Sequence, residues 1–189
     1  FFTNRGRVYK LRAYEIPDAG RQAKGTNVIN LIAIEPDEKI QTVLTVSDGK
    51  KEGFLFMATK NGIVKKTHIS EFKNLRKNGL IALSLKDNDE LLKVKNTYGD
   101  ANIMIVTQNG YAVRFNEKNV RAMGRTASGV KAINLKDDDV AVCMDIAVDG
   151  EELLVISENG FGKRTPVSEY KVQNRGGVGL ITYKISEKT

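Results

Sequence analysis

A single cysteine, Cys143, among 189 residues rules out an internal disulfide framework and fits a reducing compartment. A single histidine, His68, and the lack of any metal-spaced cluster of Cys, His, Asp and Glu leave little from which to assemble an enzyme active site. No apolar run approaches the roughly 20 residues that span a bilayer, and the N-terminus lacks the charged-then-apolar layout of a secretion signal. Helical periodicity is weak throughout. These absences point to a soluble, cytoplasmic, non-membrane protein. Its hydrophobic content of 41% suffices for a real core. The chain opens at Phe1 inside a strand-like run and reads as a piece of a longer protein.

What is present is a repeat. A glycine follows a strand-like apolar run at Gly6, Gly62, Gly110 and Gly160, preceded by Arg5, Asn61, Asn109 and Asn159. Four residues beyond each stands a basic residue (Lys10, Lys66, Arg114, Arg164), and ten beyond an apolar one (Ile16, Phe72, Val120, Tyr170). A second glycine (Gly25, Gly79, Gly129, Gly179) leads into a β-type run such as Val28-Ile29-Asn30-Leu31 or Leu80-Ile81-Ala82-Leu83. An acidic turn comes next in the first three copies, at 36–38, 87–90 and 137–139. Asn-Gly between apolar runs is a strong hairpin signal. Each copy therefore reads as strand, hairpin, strand, loop, strand, acidic turn, strand, which is a four-stranded blade. A period near 50 residues matches propeller-like architecture. The expectation is one all-β domain over 1–189 with repeats at about 1–50, 51–101, 102–150 and 151–189. The first and fourth copies look incomplete, so the arc is open or unfinished.

The 30 Lys and Arg against 23 Asp and Glu give a formal charge of +7, and its placement is uneven. The stretches that run from each hairpin to about the second glycine, 5–25, 60–79, 109–131 and 159–179, hold 21 of the 30 basic residues and 5 of the 23 acidic ones. Four phased basic windows on a circular scaffold make a band that can follow a curved phosphate backbone. The same band would also suit an acidic protein docked on a scaffold. No recognition helix, zinc ligand set or RNA-type aromatic motif is visible, so contacts are expected to be to phosphates. The candidates are Arg7, Lys10, Arg12, Arg21, Lys24, Lys65, Lys66, Arg76, Lys77, Arg114, Arg121, Arg125, Lys163, Arg164 and Arg175.

Other features read as structural. The segment from Gly20 to Thr26 imitates a phosphate-binding loop, but no Lys follows its second glycine and no helix pattern comes after it. Gln173 to Gly179 carries three glycines and an arginine, suiting either an anion-binding nest or a tight turn. His68 reads as structural or solvent-facing. Cys143, in the apolar run 140–144, reads as a buried, inert thiol. Asp137, Asp138 and Asp139 lack the calcium-loop spacing and read as a solvated hairpin turn.

Four segments then carry a resemblance: FFTNRGRVY (Phe1 to Tyr9), NGIVKKT (Asn61 to Thr67), VRAMG (Val120 to Gly124) and NGFGKRT (Asn159 to Thr165). They resemble the C-terminal domain of DNA gyrase A, and the likeness spans essentially the whole chain. The resemblance implies a β-pinwheel whose basic outer rim binds, bends and wraps double-stranded DNA in support of ATP-dependent negative supercoiling. It also implies a bacterial, chromosome-associated protein partnered by the rest of gyrase A and by gyrase B. The catalytic tyrosine, ATP and Mg sites lie elsewhere in that assembly, so this segment is not an enzyme by itself and carries no cofactor. The family's signature heptapeptide does not precede copy one. Gln173 to Gly179 is a near match in copy four, with Asn174 and Val178 where basic residues stand in the family. That departure leaves the corresponding domain of topoisomerase IV as the alternative.

Overall fold

The computed structural model describes residues 1–46, 52–75 and 78–189. Among them every regular element is a strand or a short 3-10 turn, and none is a helix able to cross a membrane. Repeat one supplies β1 (Phe2–Thr3), β2 (Arg7–Val8) and β3 (Ile40–Thr42). Repeat two supplies β4 (Phe54–Thr59), β5 (Ile63–His68), β6 (Leu80–Ile81) and β7 (Leu91–Thr97). Repeat three supplies β8 (Asn102–Thr107), β9 (Tyr111–Asn116), β10 (Val130–Lys131) and β11 (Ala141–Ile146). Repeat four supplies β12 (Glu152–Ile156), β13 (Gly162–Pro166) and β14 (Leu180–Ile181). This is the all-β, blade-repeat architecture expected from the sequence.

The sheets do not coincide with the repeats, however. Their strand orders are β3-β1-β2-β6, β10-β5-β4-β7, β11-β8-β9-β14 and a two-stranded β12-β13. The fourth strand of each of the first three blades thus comes from the next repeat, whereas the sequence suggested that each copy closes its own blade. Pairing is antiparallel, with Leu80 opposite Val8, Val130 opposite Val64 and Leu180 opposite Ala112. The second glycine makes the crossing feasible. Gly129 has φ +92°, and a Cβ there would stand 2.5 Å from the Val64 carbonyl oxygen. Gly179, at φ +85°, meets the Ala112 carbonyl oxygen in the same way.

Repeat one shows what happens without a recipient edge. Thr26 to Leu31 corresponds to the crossing segment, but the described residues offer it no preceding blade. Val28–Asn30 instead folds as a 3-10 turn, with the Asn27 side chain accepting from the Ile29 amide. The expected strand is absent there because an isolated strand leaves its backbone groups unpaired.

Asp137 and Asp138 are exposed, but one carboxylate of each acidic turn departs from the solvated reading. Asp89 and Asp139 are buried, and each accepts from the hairpin of its own repeat, through Asn61 N (3.0 Å) and Asn109 N (2.9 Å). Glu38 holds the same place in repeat one, accepting from Thr3 Oγ1 (3.0 Å) and from Tyr9 Oη (2.6 Å). These carboxylates tie the outer strand's turn to the hairpin.

Cores form between blades. Leu55 and Met57 of β4 face Phe2, Val8, Ala82 and Leu83, while Phe56 and Ala58 face Ile103, Ile105, Val113 and Phe115. On β8, Ile103 and Ile105 share that second core, and Met104 and Val106 turn to Val167 and Tyr170 of repeat four. Successive side chains of a strand point to opposite faces, so an inner strand apolar on both faces reads as the unbroken runs FLFMA and IMIV.

Because crossing strands link the first three blades, Gly129→Ala is expected to cost about 1–3 kcal/mol of stability through φ strain and the carbonyl clash. In urea the unfolding midpoint should fall while the transition stays single. A second, separate transition for one blade would contradict an interlocked domain.

Candidate nucleic-acid interface

The fifteen basic residues singled out from sequence meet different fates. Lys10, Arg12, Arg21, Lys24, Arg121, Lys163, Arg164 and Arg175 are exposed, and Arg7 and Arg125 are half-buried. Arg76 and Lys77 lie outside the described residues. Lys65, Lys66 and Arg114 are buried at 0%, 6% and 6% exposure, so their charged atoms do not reach the surface where a phosphate would lie.

These three are corrections to the sequence reading, and each has a structural reason. Lys65 Nζ donates to the carbonyls of Ala82 (2.6 Å), Gly124 (3.0 Å) and Arg125, pinning the crossing strand and the following loop to β5. Burial, and then repulsion from Arg125, lower its pKa to about 8. Lys66 Nζ donates to the Glu117 carbonyl at 2.9 Å and stands 3.6 Å from its carboxylate. Glu117, fully buried, also accepts from Thr97 Oγ1 (2.8 Å), Gly99 N (2.9 Å) and Ala101 N (2.8 Å). Arg114 reaches the next junction, donating to the carbonyls of Val167 (3.1 Å) and Tyr170 (3.3 Å) and pairing with Asp149 at 2.6 Å. At Lys66 and Arg114 the basic residue four beyond the hairpin glycine is therefore a blade-to-blade fastener, whereas Lys10 and Arg164 at the same place are exposed. Glu117 gave no sequence signal, because the equivalent positions Ile69 and Val167 are apolar.

The basic loops of repeats three and four each dock on the blade before them. Ala122 bridges to Lys66, and Met123 N donates to the Lys66 carbonyl at 2.8 Å. Ser84 Oγ donates to the Thr126 carbonyl at 2.7 Å. One blade on, Val172 bridges to Arg114, and Gln173 N donates to the Arg114 carbonyl at 2.7 Å. Gly176 N donates to the Ala132 carbonyl at 2.6 Å, which commits that amide of the near-signature loop to docking and favours its tight-turn reading. Lys73, Lys171 and Lys131 are also exposed and were missed. Their signal was there to find, since Lys73, Arg121 and Lys171 each lie eleven residues beyond a hairpin glycine. Acids temper some of the charge: Lys118 pairs with Asp100 at 2.7 Å, Arg164 with Glu152, and Arg5 with Asp37 at 2.5 Å. The cations hold the Asp100 and Asp37 carboxyls below their usual range, chiefly by hydrogen bonding.

His68 caps the turn Ile69–Phe72, its Nδ1 accepting from Ser70 N at 3.2 Å. Cys143 is exposed on β11, not buried, because it falls on the outward face of that strand. Partial desolvation and then Asp145 push its thiol pKa up, which disfavours the thiolate. Among the described residues no group of His, Cys, Asp and Glu is placed to hold a metal ion.

Two outcomes follow from the buried cations. Glu117→Ala strands two backbone amides, the Thr97 hydroxyl and the Lys66 ammonium, and should cost about 3–5 kcal/mol in a urea midpoint. Lys65 is deprotonated in the folded chain above pH about 8, while in the unfolded chain it stays protonated to about 10.4. The unfolded state then binds more protons, so stability should rise across that window. Lys65→Met should flatten the rise, and an unchanged pH profile would refute the assignment.

The family model described as DNA gyrase C-terminal domain, beta-propeller, matches residues 1–47, 53–97, 101–142 and 151–188. DNA gyrase A of Clostridium acetobutylicum is 66% identical over 189 residues, covering 100% of this chain and 23% of that protein. DNA gyrase A of Staphylococcus epidermidis is 50% identical over 191 residues, covering 100% of this chain and 21% of that protein. The chain thus spans less than a quarter of these relatives. Among solved structures, the C-terminal domain of DNA topoisomerase IV superposes with a TM-score of 0.89 at 32% identity, covering 95% of this chain and 56% of that one. The DNA gyrase A C-terminal domain does so with a TM-score of 0.83 at 29% identity, covering 99% of this chain and 60% of that one.

Proposed function

Since the chain belongs to the DNA gyrase C-terminal domain family, we propose that it binds and bends duplex DNA along its basic edge, as the wrapping part of a DNA gyrase A. The observation that supports this reading is the docking of the basic loops of repeats three and four on the preceding blades, which brings exposed cations of successive repeats beside one another. Duplex DNA presents one charge per roughly 1.7 Å of axis, and cations on a curved edge offset the cost of bending. That cost is on the order of 1–6 kcal/mol for a site of 20–30 base pairs, and only many phosphate contacts can offset it. Exposed lysines and arginines with no recognition helix read phosphates, not base edges, so binding is largely independent of sequence.

In this reading the chain contributes geometry and charge and performs no chemistry itself. Strand cleavage, ATP and Mg belong to the rest of gyrase A and to gyrase B in the bacterial cytoplasm. Identities of 47–66% to DNA gyrase A favour gyrase over topoisomerase IV, despite the higher structural score of the latter's domain.

The test is a salt series on duplexes of increasing length, with end-to-end proximity reporting the bend. Affinity should grow with duplex length and fall steeply with salt, the slope losing about one for each removed contact, as in Lys24→Gln or Lys163→Gln. Weak, length-independent binding to straight DNA would instead support a scaffold that docks an acidic protein.

A further inference from the structure

The junction between the second and third blades holds a recess of about 370 Å³ lined by Ser70, Glu71, Lys73, Asn74, Leu80 and Arg125. Five of these belong to repeat two, and Arg125 arrives from the docked loop of repeat three. Its guanidinium is steadied by Nη1 donating to the Ile81 carbonyl at 3.4 Å, and its own carbonyl is held by Lys65. Lys73 is exposed and Arg125 half-buried, so a lysine of one repeat and an arginine of the next line a single opening to solvent.

The next junction is built the same way. Arg175 lies fifteen residues beyond Gly160, as Arg125 lies fifteen beyond Gly110. Its Nη1 donates to the Lys131 carbonyl at 2.9 Å, and Lys131 stands two residues beyond Gly129, as Ile81 does beyond Gly79. Its Nε donates to the Asn119 carbonyl at 3.0 Å, which sets the guanidinium against the turn that carries Arg121. Asn119 and Arg121 correspond in register to Glu71 and Lys73.

We propose that each of these two blade junctions is a two-cation clamp for one backbone phosphate of the duplex. One arm comes from the residue eleven beyond a hairpin glycine, and the other from the arginine fifteen beyond the next. The clamp rests on the DNA-binding reading and assigns it specific residues. An arginine anchored through one or two of its five donors is already oriented, so its remaining N–H groups meet a phosphate oxygen with little further ordering. The two clamps differ in strength. Glu71 opposes an anion at the Lys73–Arg125 site, whereas neutral Asn119 replaces it beside Arg121 and Arg175, where Lys118 is already balanced by Asp100. The Arg121–Arg175 clamp is therefore the tighter one.

The experiment is a double-mutant cycle on the 189-residue chain with mixed-sequence duplex DNA, read as affinity and salt slope, with melting temperature as a check on folding. Two residues that share one phosphate must couple, whereas residues at different junctions act independently. Arg121→Gln combined with Arg175→Gln should lower the salt slope by about one in total, with affinity losses that fall short of additive. Lys73→Gln combined with Arg121→Gln should lower it by about two, additively, and neither of these exposed substitutions should shift the melting temperature. Glu71→Gln should tighten binding. Additive losses within one junction, or unchanged binding in Lys73→Gln and Arg121→Gln while Lys163→Gln weakens it, would overturn the clamp but leave DNA binding standing. Failure of the unaltered chain to bind DNA would overturn both.

Discussion

The outer edge of each blade's second strand carries backbone donors and acceptors that the strand's own repeat leaves unmatched. In β2, β5 and β9 these groups are paired by β6, β10 and β14, each from the following repeat. This exchange makes neighbouring blades covalently continuous and mutually dependent. A glycine must stand where the chain passes the partner strand's backbone. The segment after it delivers Ala82 and Leu83, or Ala132 and Ile133, into the core between blades. In repeats three and four the loop before it lies across the preceding blade, and that loop carries the exposed Arg121, Lys171 and Arg175.

Positive charge has two separate uses in this fold. At the junctions, Lys65, Lys66 and Arg114 sit in carbonyl-lined sites and contribute cohesion, with Glu117 and Asp149 balancing part of the charge. At the edge, charges remain hydrated and open to a polyanion. Buried ions of the first kind are costly to leave unpaired, because the low-dielectric interior penalises a lone charge by several kcal/mol. Exposed ions of the second kind contribute little to stability and can be removed one at a time. Formal charge therefore overstates what is available to a ligand.

Repeat number, period, hairpin glycines and the all-β class were all determined by the sequence itself, since each rests on local rules. A Gly at positive φ after a hairpin, as at Gly62, and an apolar run with both faces buried, as at 54–58, need no knowledge of neighbours. The concentration of Lys and Arg between hairpin and second glycine was equally legible. Only the tertiary structure decided which blade receives each crossing strand and which cations face water. Lys66 and Arg121 look alike in sequence, yet the first meets Glu117 from the next repeat, 51 residues away, and the second meets solvent. Thr26 to Leu31 stands in the register of 80–85 and folds differently, because the described residues offer it no strand to join. Strand pairing and burial depend on which surface arrives from a distant part of the chain, and residue type within a repeat carries no record of that.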